Sequence, residues 1–196
     1  NYPVGTGNVA LGDTALDSVA ASGNNNTAVG SNAGTAITTG DNNTLIGSLA
    51  GDALDAGGNN VAIGFRALSA EDGHGTNIAI GSDALKVQNA GTNAYNIAIG
   101  HDAGKAVTTG VQNTLIGGSA GDALTDADYN TALGNAALGS DTKGSRSVAI
   151  GHNALTTQNF TTATDTYNVA VGQNAGLNVT TGVQNTLIGG LAGDAL

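Results

Sequence analysis

A nine-residue segment that recurs eleven times is the sequence feature that most constrains the fold. In its fourth copy, Asn60–Leu68, it reads NVAIGFRAL, and each copy contains one anchoring glycine. The separations between successive anchoring glycines are 18, 17, 17, 17, 19, 17, 17, 17, 21 and 17 residues. A near-constant period of this length is typical of a solenoid, in which each repeat packs only on its neighbours. The anchoring glycines are Gly12, Gly30, Gly47, Gly64, Gly81, Gly100, Gly117, Gly134, Gly151, Gly172 and Gly189.

The residues just before each glycine indicate a short strand that is apolar on both faces. In every copy the residue before the glycine is Ile, Val or Leu, and the residue three before it is Val, Thr or Ile. Because side chains alternate along a strand, these two share one face, and the Ala or Leu between them occupies the other. A strand that is apolar on both faces is buried on both. We therefore predict an all-β parallel β-solenoid of about 11 turns, with residues 1–196 as a single domain.

One of these faces must line the coil, and the other then requires a partner chain. The alternation is compatible with either face as the interior. We predict that the middle position forms the interface between chains, because small side chains let two backbones approach closely. The predicted interface residues are Ala10, Ala28, Leu45, Ala62, Ala79, Ala98, Leu115, Ala132, Ala149, Ala170 and Leu187.

An asparagine stands four residues before the glycine in ten of the eleven copies, and Ser147 takes its place in the other. Stacked turns lie ~4.8 Å apart, so amide groups in such a column can bond to one another. The glycine itself is predicted at a corner where a Cβ would be obstructed, and the Ala three residues after it at a tight inward position. The predicted asparagine ladder comprises Asn8, Asn26, Asn43, Asn60, Asn77, Asn96, Asn113, Asn130, Asn168 and Asn185.

A longer, four-turn period lies over the first. The segment Thr-Leu-Ile-Gly, followed by Ala-Gly-Asp-Ala-Leu, recurs after 70 and then 72 residues, which indicates a duplicated block. Where the residue four after the anchoring glycine is itself Gly, an apolar core residue follows three positions later. The longest inserts, 86–95 and 156–167, occupy equivalent places in the block, so we predict a recognition surface on one side of the rod. We call the apolar residues that stand three positions after such a second Gly the displaced core residues; they are Ile37, Leu54, Val107, Leu124, Val179 and Leu196.

The charge and composition argue against several classes of function. The formal net charge is −10, with 15 acidic and 5 basic residues, which disfavours binding to nucleic acid or anionic lipid. The absence of Cys removes disulfides and thiolate metal sites. No apolar run approaches ~18 residues, so we expect no membrane insertion. Because the chain begins at Asn1 without Met and stops within a repeat, we interpret it as a fragment of a longer fibrous chain.

The sequence shows no constellation typical of an enzyme. No Gly-x-Ser-x-Gly nucleophile motif occurs, and we expect no catalytic, cofactor-binding or metal site. The three histidines, His74, His101 and His152, are scattered and interpreted as surface residues. Asp83 and Asp102 lie two residues after their glycines in adjacent turns and could hold a cation between them. A plain charge ladder is the alternative interpretation, since Arg66 occupies the same place one turn earlier.

The repeated Asn-Val-Ala-Ile-Gly-x-x-Ala segment resembles the head repeats of YadA-like trimeric autotransporter adhesins. The variant Thr-Thr-Gly-x-x-Asn-Thr-Leu-Ile-Gly resembles related β-roll repeats of phage tail fibres. The resemblance covers nearly the whole chain, although the period of mostly 17 is longer than the compact unit of adhesin heads. It implies a left-handed parallel β-roll, three chains around a common axis, and an extracellular place on a cell surface or virion fibre.

We therefore expect a structural or adhesive module of a homotrimeric surface fibre, either an adhesin head or a phage tail fibre. Its loops would bind a glycan or protein on a host surface. One alternative is a self-assembling filament or spacer without a ligand. Another is an ice-binding solenoid, which would need a flat threonine array on every turn; Thr-Thr pairs precede the Leu-Ile-Gly turns but do not occur throughout.

Overall fold

The computed structural model describes residues 5–195, which wind into a parallel β-solenoid without helices. Leu196, the last of the predicted displaced core residues, lies outside the described residues. No helix in the described part of the chain is long and apolar enough to cross a membrane. The strands are β1 (Val9–Leu11), β2 (Thr27–Val29), β3 (Thr44–Ile46), β4 (Val61–Ile63), β5 (Ile78–Ile80), β6 (Ile97–Ile99), β7 (Thr114–Ile116), β8 (Thr131–Leu133), β9 (Gly144–Ser145), β10 (Val148–Ile150), β11 (Thr164–Asp165), β12 (Val169–Val171) and β13 (Thr186–Ile188).

Eleven of these strands form one parallel sheet in the order β1-β2-β3-β4-β5-β6-β7-β8-β10-β12-β13. The register places equivalent positions of neighbouring turns opposite one another, as with Ala62 and Ala79. The remaining strands, β9 and β11, pair with each other and attach the second insert to the preceding turn. The predicted parallel β-solenoid of about 11 turns is confirmed.

The middle residue of each strand points into the coil, which corrects the predicted interface. A side chain without accessible surface cannot contact another chain, so these residues form the core of a single chain. Ala10 and Leu187, in the terminal turns, are partly buried and pack against the same core. The predicted interface residues with 0% exposure are Ala28, Leu45, Ala62, Ala79, Ala98, Leu115, Ala132, Ala149 and Ala170.

In eight of the eleven turns, one leucine occupies either of two inward positions. Where the strand contributes Leu115, the residue six positions later is Gly121; where it contributes Ala132, that residue is Leu138. A Cβ on Gly121 would lie 2.7 Å from Leu115 Cδ2 and 2.9 Å from Leu124 Cδ1. These turns hold one leucine at either of two places. Where both places are small, as with Ala98 and Gly104, Leu115 of the next turn fills the space: its Cδ1 lies 2.8 Å from where a Cβ on Gly104 would be.

A third inward column contains polar as well as apolar side chains. The described displaced core residues Ile37, Leu54, Val107, Leu124 and Val179 are buried, as predicted. In the turns between them the same column contains Glu71, Gln88, Asp141 and Gln158, each with 0% exposure. These polar residues were missed from the sequence, although they stand at the same spacing after Leu68, Leu85, Leu138 and Leu155.

The ladder asparagines line the inside of the coil and bond mainly to the main chain of the next turn. Asn113 Oδ1 accepts a hydrogen bond from the backbone N–H of Asn130 at 2.9 Å, and Asn113 Nδ2 donates to the Ala127 carbonyl at 2.8 Å. Amide-to-amide bonds between ladder residues join Asn43 to Asn26, Asn113 to Asn96 and Asn185 to Asn168. The backbone N–H of the next turn is bonded in the same way by Asn8, Asn26, Asn43, Asn60, Asn77, Asn96, Asn130 and Asn168.

We expect the substitution Asn113→Ala to lower the free energy of unfolding by about 2–5 kcal/mol. It leaves the buried groups at Asn130 and Ala127 without partners, and each unsatisfied group costs roughly 1–3 kcal/mol. Urea denaturation followed by circular dichroism measures the change. The control is Asn135→Ala, whose exposed amide bonds only to the Gly118 carbonyl at 3.1 Å; its effect is expected within about 0.5 kcal/mol. Equal losses in both variants would contradict this role of the ladder.

Candidate assembly surface

The outward side of the eleven-stranded sheet is a continuous apolar strip without charged residues. The first and third residues of each strand point outward, as in the partly exposed flanks of β4 around the buried Ala62. The first column is Val9, Thr27, Thr44, Val61, Ile78, Ile97, Thr114, Thr131, Val148, Val169 and Thr186. The third-residue column is Leu11, Val29, Ile46, Ile63, Ile80, Ile99, Ile116, Leu133, Ile150, Val171 and Ile188. We call these two columns the outer strip.

The outer strip is long and narrow. Eleven strands stacked ~4.8 Å apart give a length of about 48 Å, and three-residue strands give a width of about 10 Å. The exposed fraction is largest where one neighbouring strand is missing, reaching 67% at Leu11 and 69% at Ile188. The strip's area of about 500 Å² is in the range of the largest apolar patch on a typical monomeric protein, and such patches are often functional.

Corner glycines hold the strands of the strip close together. Gly64 has φ +134°, and a Cβ there would lie 2.5 Å from the carbonyl carbon and oxygen of Gly81 in the next turn. An L-residue is strained in this conformation, and its side chain would collide with main chain. The predicted corner role of the glycine is confirmed. The predicted tight alanine is confirmed as well, since Ala67 and its equivalents from Ala33 to Ala175 have 0% exposure.

The two long inserts are anchored to the coil by buried residues and are exposed at their tips. In insert 86–95, Gln88 is buried and donates to Glu71 Oε2 at 3.2 Å, while residues 91–93 are exposed. In insert 156–167, Gln158 makes the equivalent bond to Asp141, while residues 161–163 are exposed. The inserts therefore have equivalent anchors in the two blocks, and their exposed surface includes Val87, Tyr95 and Tyr167 as well as the tips.

A cluster of aromatic and charged side chains lies beside the second insert. The guanidinium carbon of Arg146 is 4.6 Å from the ring centre of Tyr129 and 6.0 Å from that of Tyr167. Arg146 Nε also contacts Asp165 Oδ1 at 3.1 Å. Cation–π contacts of this kind hold the rings and the guanidinium together. The sequence analysis did not predict this cluster. The pattern that could have indicated it is a Tyr directly before a ladder asparagine, which occurs in three copies, including Tyr95.

The acidic residues considered for a cation are each paired with a basic side chain. Asp83 Oδ1 lies 2.9 Å from Arg66 Nε, and Asp83 Oδ2 lies 3.0 Å from Arg66 Nη2. Asp102 Oδ2 lies 3.2 Å from Lys105 Nζ. The Arg66–Asp83 pair joins adjacent turns, so the arrangement agrees with the charge-ladder alternative.

The three histidines do not share a site. His101 and His152 are exposed, as expected of surface residues. His74 differs, because its Nδ1 is shielded from solvent and lies 3.7 Å from Glu71 Oε1. The His74 side chain is 35% exposed, so it lies at the surface but also contacts a buried acid. That contact could not be recognised from the spacing of the histidines.

No family model, curated protein or solved structure matches this chain.

Proposed function

We propose that this chain is a structural and adhesive module of a homotrimeric extracellular fibre, wound as a left-handed β-roll. The observation that carries the proposal is the outer strip. It exposes aliphatic and threonine side chains along the whole sheet and contains no charged side chain that would favour its exposure to water. Burying such a surface is worth roughly 25 cal/mol per Å². Association of identical chains through this strip buries the outward apolar side chains of every turn.

The composition of the strip fits three chains around one axis. Each chain has two outward columns, so one column can face each of its two neighbours. The two columns differ in composition. The third-residue column is wholly aliphatic, whereas the first column contains both aliphatic residues and threonines. A threefold arrangement brings unlike columns together, which is the head-to-tail contact of a closed ring. The resemblance of the repeat to adhesin heads and tail fibres supports the same arrangement and an exposed location on a cell or virion.

Light scattering coupled to size exclusion tests the assembly. At micromolar concentration we expect three times the chain mass of 18.9 kDa. The substitution Ile99→Asp places a charge in the strip without disturbing the interior, and is expected to give monomers. The matched control Val87→Asp changes an exposed aliphatic residue of the first insert and should leave the assembly intact. A wild-type chain that is monomeric at this concentration contradicts the proposal.

The adhesive part of the proposal depends on the insert tips. Replacing residues 91–93 and 161–163 by Gly-Ser-Gly keeps the buried anchors Gln88 and Gln158 in place. We expect binding to glycan arrays, matrix proteins or cells to fall while the assembly stays unchanged. Unchanged binding, or no binding by the wild-type chain, favours a spacer without a ligand.

For the ice-binding alternative, we expect thermal hysteresis to be absent, because Val61, Ile78 and Ile97 interrupt the threonines of the first column.

A further inference from the structure

A buried carboxylate enters the core where the fourth turn closes. Glu71 has no exposed surface and occupies the column that contains Leu54 one turn earlier. Its Oε1 accepts from the backbone N–H of His74 at 3.2 Å, and its Oε2 accepts from Gln88 Nε2 at 3.2 Å. A buried carboxylate is costly unless hydrogen bonds, a paired cation or a coordinated metal ion compensate for its lost hydration.

A shielded ring nitrogen lies beside that carboxylate. His74 Nδ1 has no hydrogen-bond partner and is 3.7 Å from Glu71 Oε1, although 35% of the His74 side chain is exposed. Buried polar atoms in native proteins are almost always paired, so an unpaired one calls for an explanation. Asp72 supplies a further carboxylate from the exposed side of the loop. The ligand atoms of Glu71, Asp72 and His74 all lie within 4.8 Å of one another.

We propose that Glu71, Asp72 and His74 bind one divalent transition-metal ion of the zinc class. One imidazole nitrogen and two carboxylate oxygens are a donor set that Zn²⁺ accepts, with water completing the tetrahedron. The ion would give His74 Nδ1 a partner and neutralise Glu71. Gln88 would hold the Glu71 carboxylate in orientation, as outer partners of metal ligands do. The site departs from the expectation that this chain has no metal site.

The second four-turn block contains a matched loop without the metal ligands. Asp141 is equivalent to Glu71, and its Oδ1 accepts from the backbone N–H of Gly144 at 3.0 Å, as Glu71 accepts from His74. Thr142 and Gly144 stand where the first block has Asp72 and His74. The same loop connection thus forms with neither the imidazole nor the second carboxylate. The side chains of Asp72 and His74 are therefore not required for closure of the first loop.

Isothermal titration of the full chain with ZnCl₂ tests the site. We expect one ion per chain for the wild type. The double variant Asp72→Thr with His74→Gly copies the second loop and is expected to lose more than about 100-fold in affinity, beyond the 10–100-fold typical of losing an outer partner. The single variant Asp72→Thr changes only an exposed side chain, so it reports on the site even where the double variant folds poorly. His101→Ala, at the exposed histidine beside Asp102, should leave the affinity unchanged.

A second measurement identifies the ligand atoms. Co²⁺ bound in place of Zn²⁺ is expected to give visible absorption bands typical of tetrahedral ligation in the wild type, and to lose them in Asp72→Thr. Zn²⁺ should also raise the melting temperature of the wild type only, because a ligand that binds the folded state stabilises it. Absence of binding at millimolar Zn²⁺, or affinity that is equal in wild type and Asp72→Thr, would overturn the proposal. Neither result depends on the oligomeric state.

Discussion

The substitution Gly100→Ala is expected to lower the free energy of unfolding by more than about 4 kcal/mol, a loss that few single substitutions reach. Gly100 has φ +141°, and a Cβ there would lie 2.4 Å from the carbonyl oxygen and 2.6 Å from the carbonyl carbon of Gly117. The contacted atoms are main chain, and the next turn is held in place by the bond from Gly117 N–H to the Ile99 carbonyl at 2.8 Å. Neither turn can move without breaking the stack.

Gly189 provides the matched control for this prediction. Its φ of +127° is close to that of Gly100, yet nothing lies within 4 Å of the position where its Cβ would be. Gly189→Ala therefore retains the backbone strain, worth roughly 1–3 kcal/mol, without the collision. Urea denaturation of both variants separates the two costs. Equal losses would show that strain alone, and not the close stacking of turns, accounts for the glycine.

The second large effect concerns the exchange of leucine between two inward positions. Leu115→Ala is expected to cost about 2–5 kcal/mol, the usual range for emptying a buried leucine site. Gly121→Leu alone should destabilise as well, because Leu115 Cδ2 occupies the space its Cβ would need. The double variant should be more stable than either single one, since it reproduces the arrangement of Ala132 and Leu138 in the next turn. The backbone permits it: φ is +56° at Gly121 and +54° at Leu138.

A double-mutant cycle measured by urea denaturation tests this exchange. We expect a favourable coupling energy of at least about 1 kcal/mol between Leu115→Ala and Gly121→Leu, because the residues share one volume. The control pairs Gly121→Leu with Leu45→Ala, the equivalent residue four turns away, roughly 19 Å along the stack. That pair should be additive within about 0.5 kcal/mol. Additive losses for Leu115 and Gly121 would contradict the shared volume.

The sequence alone determined the repeat architecture. The fixed spacing of the glycines set the number of turns, and the alternation around Ala62 set one short strand in each. The corner glycine and the tight alanine followed from residue size, because only those residues fit where turns stack closely. Ladder positions such as Asn113 were also predictable, although the structure shows their amides bonded mainly to main chain.

Only the tertiary structure decided which side of the strand is the interior. Alternation distinguishes the face of Ala62 from the face of Val61 and Ile63, but both are apolar, so the pattern is the same with either one inside. Packing within the coil settled it, since Ala62 is fully buried whereas Val61 and Ile63 on either side of it are partly exposed. The same geometry placed Glu71 in a core column beside His74, a contact that depends on how the loop closes. Sequence spacing specifies position along the chain, whereas direction and depth follow from packing.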